Sequence, residues 1–366
     1  MSRTAGPTAE DTGRDATAAA LDAFCRAVLL AAGCDDDTAD AATRAMMHGS
    51  RLGIDSHGVR LLDHYVTVVM GGRVTGRPTI RLASGHGAVA LLDAGDGHGA
   101  LGAYRGMDHA CELADRFGIG AVGIANSSHF GPAGAYALAA ADRGLIGMAF
   151  CNSDSFVRLH DGAMRFHGTN PIACAVPVAG ERPWLLDMAT SAIPYNRIQL
   201  YKSLGLDLPA GVASAADGSD TRDAEGAEML APLGGDFGFK GAGLAGLVEI
   251  LTAVMTGMKL SFDIAAMGGP DFSSPRRLGA FVLALKPDAM AGPEAFRMGM
   301  RRYVDMLRAS PSREGGRVMA PGDREWAEAA RRDVDGIPID PTTAVAFERL
   351  AREFGLEPPW AARGRE

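Results

Sequence analysis

The sequence lacks paired cysteines and clusters of basic residues. Its 5 cysteines are scattered without a C-x-x-C pair, so we expect no structural disulfide and no metal site, a usage typical of the reducing cytoplasm. The formal net charge is −8, and no tract of lysine or arginine is interleaved with the aromatic residues, which make up only 6% of the chain. This balance argues against nucleic acid and against an anionic membrane surface as partners.

The sequence also has no segment typical of export or of membrane insertion. The first residues, "MSRTAGPTAEDTGRDA", contain acidic side chains and no apolar core, so we predict no signal peptide and interpret residues 1–15 as a disordered tail. The most apolar long segment, Gly241 to Met258, contains Glu249 and several glycines. This composition favours a buried helix over a membrane span.

The length and the apolar pattern predict a two-part architecture. At 366 residues the chain exceeds the size at which a single core usually stops growing. Helical periodicity opens the chain, and from Thr79 short apolar runs flanked by glycine and proline predict strands that alternate only partly with helices. We therefore expect a mixed α/β (α+β) fold, with residues 16–78 and 315–366 forming a helical domain and residues 79–314 a mixed-sheet domain. Residues 207–235 are interpreted as a long loop, either a lid or an insertion.

One glycine-rich stretch has the spacing of a dinucleotide-binding turn. Gly97, Gly99 and Gly102 in "GDGHGALG" satisfy G-x-G-x-x-G, between a strand candidate and an amphipathic helix. The next strand candidate, "IGAVGIA", runs into Asn126 without the acidic residue that a Rossmann site uses to bind a ribose hydroxyl. The missing acidic residue therefore argues against a Rossmann site at these glycines.

Two histidines occur at positions suited to proton transfer. His57 follows Ser56 at the beginning of the third helix, and Arg60 and His64 follow it. His129 ends "NSSH" at a strand-to-helix junction, where ligands are commonly bound. A histidine with a pKa of about 6.5 can give a proton to a developing alkoxide, and a guanidinium can hold a carboxylate. The alternative in both cases is an ordinary helix cap with an incidental histidine.

A second group of residues is suited to anions and sugar hydroxyls. Asp187 ends an apolar strand and is followed by Thr190 and Ser191 at a predicted helix start, where a ribose or a phosphate could bind. Lys240 lies among glycines at the entry to the apolar helix, where backbone amides suit an anion. Asp187 and Ser191 serving only as caps is the alternative.

With these stretches in hand, the sequence resembles the malate/L-lactate dehydrogenase family of the second type, which has a non-Rossmann fold. The motifs that carry the resemblance occur in one order between about Thr17 and Gly355. They are "DSHGVRLLDHYV", "NSSHFGPAGAYALAAADRGLIGMAFCNSD", "HGTNPIACAVPV", "LLDMATS", "GFKGAGLAGLVEILTAVMTG" and "RVMAPGDREW" followed by "DGIPIDP". Members bind NAD or NADP without a G-x-G-x-x-G site, so the resemblance implies this cofactor, bound with the substrate by the mixed-sheet domain. It also implies that Gly97 to Gly102 form a structural turn.

The resemblance also implies roles for particular residues. His57 and His129 match histidines that act as proton donors in different members, and Arg60 would hold the substrate carboxylate. The implied substrate-binding residues are Ser56, Arg60, His64 and Thr169. The implied cofactor-binding residues are Ser153, Asp187, Met188, Ala189, Thr190, Ser191, Lys240, Gly322 and Asp323.

The arginine departs from the family pattern. Many relatives place it four residues after the motif histidine, whereas here Arg60 comes three residues after His57 and Leu61 takes the fourth position. On a helix this moves the guanidinium by about 100° around the axis. Either Arg60 still reaches the substrate, or His64, Tyr65 or another basic group holds it instead.

These features together predict a cytoplasmic oxidoreductase. It would transfer hydride between NAD or NADP and C2 of a small 2-oxo or 2-hydroxy carboxylic acid, and the resemblance implies a homodimer. The alternatives are a reductase of cyclic 2-imino acids and a cofactor-binding homologue without catalysis. Lys202, Arg197 and Arg222 are candidates for binding the 2′-phosphate of NADP.

Overall fold

A computed structural model describes residues 14–360 of the chain. Asp15 already lies in a short strand, and residues 1–13 of the predicted tail fall outside the described residues. The strands are β1 (Asp15–Ala16), β2 (Arg81–His86), β3 (Val89–Asp93), β4 (Ile119–Ser127), β5 (Ile146–Cys151), β6 (Val157–Arg158), β7 (Arg165–His167), β8 (Ile172–Val176), β9 (Trp184–Met188), β10 (Ala213–Ser214), β11 (Met229–Leu230), β12 (Leu278–Leu285) and β13 (Ile337–Pro338). The α-helices are α1 (Ala18–Ala31), α2 (Asp36–Arg51), α3 (Leu62–Met70), α4 (Gly99–Phe117), α5 (Gly134–Ala141), α6 (Tyr195–Ser203), α7 (Phe239–Glu249), α8 (Pro293–Arg308), α9 (Asp323–Asp335) and α10 (Pro341–Phe354).

A seven-stranded mixed sheet forms the centre of the molecule. Its order is β2-β3-β4-β12-β5-β8-β9, and β3 and β4 are its parallel pair while the other neighbours are antiparallel. The apolar runs predicted as strands form this sheet, and α4 and α5 bury their apolar faces against it. The mixed α/β prediction is thereby confirmed.

The two ends of the described chain share a second core. Helix α1 is capped by Thr17 and α2 by Asp35, whose side chains accept hydrogen bonds from backbone amides of the first turn. Their apolar faces pack with α3 and α10, where Phe347 is fully buried against Phe24. Helix α9 packs differently, because its Ala329 and Trp326 contribute to the core of the large sheet.

The glycine-rich stretch opens α4 between the parallel strands β3 and β4, yet protein groups fill the helix start. The amide of Gly99 donates to Ser128 Oγ at 2.9 Å, and the amide of Ala100 donates to His98 Nδ1 at 3.1 Å. A Cβ at Gly99 would lie 2.3 Å from the carbonyl oxygen of Ser128. Gly99 is therefore required for close packing against the segment that carries His129, and the turn leaves no amides at this position for a pyrophosphate.

The segment 207–235 contains more structure than a loop. Strands β10 and β11 pair with β6 and β7 in a four-stranded sheet over a small core of its own. Helix α7 follows and continues into a π-helical turn, Ile250–Val254. The segment predicted as a buried helix is buried on one side only, through residues such as Val248 and Glu249, and its other side is exposed. Within residues 14–360, none of the helices has the length and apolar content required to cross a membrane.

Candidate active site

The turn that carries His57 is held by contacts from the far end of the chain. Asp55, Ser56 and His57 form a 3-10 turn, and Arg332 of α9 donates to both carboxylate oxygens of Asp55, at 2.5 and 2.9 Å. A Cβ at Gly58 would lie 2.2 Å from Ser50 Oγ, so the "SHG" glycine is required for the turn to pack on α2. Ser56 Oγ lies 2.9 Å from His57 Nδ1, which orients the ring.

The structure brings His57 and His129 together. Their rings are stacked with centroids 5.8 Å apart. His129 follows the end of β4, and its Nδ1 lies 3.0 Å from the hydroxyl oxygen of Tyr65, a buried residue of α3. In both histidines a neighbouring hydroxyl thus holds Nδ1, which leaves Nε2 as the nitrogen available for exchange with a ligand.

Tyr65 is itself held in place by His98, a residue of the glycine-rich stretch. The His98 ring meets the Tyr65 ring edge to face, with centroids 4.2 Å apart. Because His98 Nδ1 accepts the amide of Ala100, the ring proton is on Nε2, which is buried and has no hydrogen-bond partner among the described residues. Sequence reasoning treated this stretch only as a turn and missed His98, for which the sequence gives no signal besides its place at a helix cap.

The histidines of this cluster have lowered pKa values. Burial lowers the pKa of His129 well below 6.5, and the neighbouring His57, His64 and Arg276 lower it further. Burial also lowers the pKa of His57. The pKa of His64 falls to about 4, through burial first and then through Arg276 and Arg73. At neutral pH these imidazoles are therefore uncharged.

A buried pair of charges, which sequence reasoning missed, lies beside the histidines. Arg276 and Asp154 are 3% and 6% exposed, and the Arg276 Nη2 contacts Asp154 Oδ1. Asp154 follows β5 and Arg276 precedes β12, so the large sheet brings them together from residues more than a hundred positions apart. The signal was an arginine at the edge of an apolar strand, "PRRLGAFVLAL", where burial of a cation is unusual.

The predicted substrate arginine is not part of this cluster of contacts. Arg60 lies in the 3-10 turn Val59–Leu61, is solvent-exposed, and makes no hydrogen bond or ion pair with any residue in the range 14–360. His64, by contrast, lies next to Tyr65 with ring centroids 6.0 Å apart.

The predicted cofactor residues of the central segment lie close to one another. Ser153 Oγ accepts the amide of Thr169 at 3.3 Å, and Thr190 Oγ1 donates to the Thr169 carbonyl at 3.1 Å. Ser191 forms a bridge with Pro232, which leads towards α7. A Cβ at Gly168 would lie 2.2 Å from Ser153 Oγ, so the "HGTN" glycine is required for this close approach.

Asp187 is a partly buried carboxyl with little competition for its oxygens. It lies on β9, and its recorded hydrogen bond within the described chain comes from the amide of Gly134, 2.8 Å from Oδ2. The loop from His129 to Gly134 therefore connects the histidine directly to this carboxyl. Burial raises the pKa of Asp187 to about 6, and the charge of Glu325 adds to this effect. An acceptor of this kind suits the hydroxyls of a ribose, so Asp187 fits the ribose of a nicotinamide dinucleotide.

The turn that contains Gly322 packs against the same strand. The amide of Leu185 donates to the carbonyl of Pro321 at 3.2 Å, two residues before Asp187. Asp323 begins α9, where Arg308 and the amide of Ala320 engage its carboxylate. A pocket of about 610 Å³ that includes Asp323, Arg182, Arg317 and Trp326 in its lining adjoins this turn.

The remaining predicted cofactor residues differ in exposure. Met188 and Ala189 are partly buried after Asp187, and Lys240 is exposed at the start of α7, where its Nζ lies 5.4 Å from the centre of the Phe237 ring. Of the three candidates for a 2′-phosphate, Lys202 is paired with Glu225 at 2.6 Å and Arg222 donates to the Leu208 carbonyl. Arg197 is exposed and has no such partner within residues 14–360.

A polar cluster around Glu249 supports the loops that carry Ser153 and Thr169. Glu249, at the end of α7, accepts from the amide and hydroxyl of Ser261 at 2.6 and 2.7 Å. It also accepts from the side-chain amides of Asn152 and Asn170, at 3.4 and 2.8 Å. The single carboxylate thereby fixes the residues that adjoin Ser153 and Thr169, one from each loop.

The fold agrees with that of known dehydrogenases. The family model for malate/L-lactate dehydrogenase matches residues 16–347. The chain is 32% identical to a malate dehydrogenase of Pyrococcus abyssi, over 92% of this chain and 94% of that protein. It is 33% identical to a (2R)-3-sulfolactate dehydrogenase (NADP(+)) of Chromohalobacter salexigens, over 88% and 96% of the two chains. The solved malate dehydrogenase of Pyrococcus horikoshii superposes with a TM-score of 0.86 at 29% identity, covering 94% and 97%.

These matches extend over nearly the whole chain and over every motif on which the resemblance was based. They confirm the predicted fold, the predicted use of NAD or NADP and the predicted oxidoreductase activity on a small 2-hydroxy or 2-oxo acid. The protein therefore belongs to the malate/L-lactate dehydrogenase family.

Proposed function

We propose that His129 exchanges the proton with the oxygen on C2 of the substrate. The observation that carries this assignment is the 3.0 Å contact between Tyr65 Oη and His129 Nδ1, beside the stacked ring of His57. With Nδ1–H donating to Tyr65, Nε2 of neutral His129 accepts the hydroxyl proton in oxidation and returns it in reduction. The bound nicotinamide accepts or supplies the hydride.

The low pKa of His129 favours the oxidation direction, which uses the neutral imidazole and needs no prior protonation. Oxidation requires the neutral imidazole, which already predominates at neutral pH because the pKa of His129 lies well below 6.5. Reduction requires the protonated form, so its rate falls as the pH rises. His57, held by Ser56, is proposed to donate to the substrate oxygen and to keep the imidazole of His129 in place.

Asp187, Ser153 and Lys240 are proposed to hold the cofactor. The partly buried Asp187 carboxyl suits ribose hydroxyls, and Ser153 contacts Thr169, whose carbonyl accepts from Thr190. Met188, Ala189, Thr190, Ser191, Gly322 and Asp323 would form the remaining wall. Exposed Lys240 would bind a phosphate group at the start of α7.

A homodimer is proposed from the apolar surface around α7. The side chains on this surface include Phe237 at 61%, Phe239 at 54%, Ile250 at 52%, Val254 at 62% and Met255 at 62% exposure. Several exposed apolar side chains on one helix and the turn before it are typical of subunit contacts. Lys240 lies among these side chains, so the cofactor would bind near the contact. The unpaired cysteines support a reducing, cytoplasmic location.

The shared second core supports the proposed division into a helical domain, residues 16–78 with 315–366, and a sheet domain, residues 79–314. Malate and sulfolactate occur in the names of the relatives, and both are 2-hydroxy acids with a second anionic group. We propose this class as the substrate.

The test measures consumption of NADH and NADPH with oxaloacetate, sulfopyruvate, pyruvate and piperideine-2-carboxylate in His129→Ala, His57→Ala and the unaltered protein. We expect turnover of a 2-oxo acid, a loss of about 100-fold or more in kcat for His129→Ala, and a smaller loss for His57→Ala. In the oxidative direction kcat/KM should be flat above pH about 6.5. A larger loss in His57→Ala would transfer the proton-exchange role to His57, and turnover of the cyclic imine alone would make the protein an imine reductase.

A further inference from the structure

We propose that Arg73 and Arg276, rather than Arg60, form the cationic anchor for the substrate carboxylate. The proposal rests on the proposed function and names residues that no motif singled out. It follows from the position of the two guanidinium groups, from the acidic groups near them, and from their connection to the histidines.

The two arginines converge on one short segment. Both are 3% exposed. Arg276 Nε donates to the carbonyl of Ala265 at 2.8 Å, and Arg73 Nη1 donates to the carbonyl of Met267 at 3.0 Å. Because these carbonyls are two residues apart, the guanidinium groups lie close together although the two arginines are about 200 positions apart in the sequence.

The cluster contains more positive than negative charge. Asp154 is occupied on both sides, by Arg276 at Oδ1 and by the amide of Met267 at Oδ2, 3.1 Å away. Arg73 donates only to carbonyl groups among the described residues, and its buried Nε has no partner there. Asp271, the other acid that acts on Arg73, is exposed and accepts from Ser273. Two buried cations thus share one buried carboxylate.

An unbalanced buried charge lowers stability unless a ligand compensates it. Burial and the neighbouring Arg276 lower the pKa of Arg73, in agreement with an unfavourable concentration of positive charge. His64 does not add to this charge because its pKa of about 4 leaves it neutral. One further anion would balance the cluster, and a substrate carboxylate has the required charge and the planar shape that a guanidinium fork binds.

The cluster is connected by direct contacts to the proton-exchange residues. The Arg73 guanidinium lies 4.8 Å from the centre of the Phe272 ring, which is 6.5 Å from the His64 ring. His64 in turn neighbours Tyr65, the residue that holds His129. On the other side, Asp154 directly follows Ser153 of the proposed cofactor site. The anchor is therefore connected both to the histidine cluster and to the loop of the proposed cofactor site.

The experiment compares Arg73→Met with Arg60→Met, the same change at the exposed arginine. We expect Arg73→Met to raise KM for the preferred 2-oxo acid at least tenfold, with a smaller change in kcat and with the Kd of NADH or NADPH within twofold of the unaltered protein. Arg60→Met should leave KM within twofold. The reverse result, a raised KM in Arg60→Met and an unchanged KM in Arg73→Met, would overturn the proposal.

A binding measurement separates this proposal from the proposed function. Oxalate, a small carboxylate that cannot be reduced, is titrated in the presence of NAD(P)H while the Tm is recorded. Oxalate should raise the Tm of the unaltered protein and of Arg60→Met, and not that of Arg73→Met. Stabilisation by oxalate without turnover of any 2-oxo acid would refute the proposed function and leave the anchor standing. Equal stabilisation in Arg73→Met would refute the anchor.

If Arg73→Met does not fold, Arg276→Lys decides in the same titration. This variant keeps the charge beside Asp154 and loses the guanidinium fork. Weakened oxalate binding is expected, and binding equal to that of the unaltered protein would reject the anchor.

Discussion

Glu249 and Asp187 are two enclosed carboxylates with opposite surroundings. Glu249 accepts hydrogen bonds from two groups of Ser261, from Asn152 and from Asn170, so both of its oxygens are occupied. Asp187 has the amide of Gly134 as its recorded donor, and burial raises its pKa to about 6. Buried polar groups are normally paired within the protein. A carboxylate whose oxygens all accept hydrogen bonds within the protein therefore indicates a structural role. One with few protein donors indicates a position where a ligand supplies the remaining donors.

The same contrast separates other parts of the site. The Asp55–Arg332 pair is bidentate and complete, and it holds the turn that carries His57. Arg73 Nε and His98 Nε2 are buried without partners within residues 14–360. The His98 ring packs against Tyr65, and Arg73 is connected to His64 through the Phe272 ring. In the region of the proposed substrate site these two buried groups thus remain unpaired, whereas the carboxylates of Asp55 and Glu249, which hold the supporting turns, have both oxygens occupied.

The largest effect is expected at Glu249. Glu249→Ala leaves the donors of Ser261, Asn152 and Asn170 without an acceptor, which should cost about 3–5 kcal/mol and lower the Tm by on the order of 10 °C. Scanning calorimetry provides the measurement. Glu294→Ala is the control, because Glu294 makes an exposed ion pair with Arg297, and a pair of this kind contributes about 0–1 kcal/mol. Equal Tm values for the two variants would contradict the structural role of Glu249.

The next effect concerns Tyr65. Tyr65→Phe keeps the buried ring and removes the oxygen that holds His129 Nδ1. We expect kcat to fall by about one to two orders of magnitude, and KM to change little, because the protonated imidazole loses an acceptor. For the same reason the His129 pKa in the substrate complex should decrease, so the pH at which reduction declines should move to lower values. A pH profile superimposable on that of the unaltered protein would limit Tyr65 to a packing role.

Much of this arrangement could be predicted from the sequence because it depends on local pattern. The apolar runs became β3, β4, β5, β8, β9 and β12, and the motif residues His57, His129 and Asp187 lie at the turns and strand ends where the pattern placed them. Strand order could not be predicted in this way. Strand β12 inserts between β4 and β5, and side-chain period alone does not specify a pairing over that distance in sequence.

The contacts between distant segments escaped sequence reasoning for the same reason. Arg276 meets Asp154, and His98 meets Tyr65, only after the sheet and α3 have been assembled. An arginine directly before an apolar strand was the available signal, but the sequence does not indicate which carboxylate it contacts. The exposed position of Arg60 also depends on the 3-10 turn Val59–Leu61, where the helical periodicity predicted a continuous helix.

The smallest effect tests Asp187 through its pH dependence. The folded pKa of about 6 lies above the usual 3.8, so this group binds more protons in the folded than in the unfolded protein between these values. Its contribution to the free energy of unfolding is therefore fully present below pH about 4 and decreases, by about 2–3 kcal/mol, as the pH rises to about 6.

Asp187→Asn removes this decrease, because it replaces the carboxyl group with a neutral amide of the same shape. At pH 7 the variant should be as stable as the unaltered protein or more so, yet bind NADH about tenfold or more weakly, because a neutral amide replaces a charged acceptor. Chemical denaturation at several pH values and a fluorescence titration with NADH measure the two quantities. Loss of stability at pH 7 with unchanged NADH affinity would place Asp187 with Glu249 among the structural carboxylates.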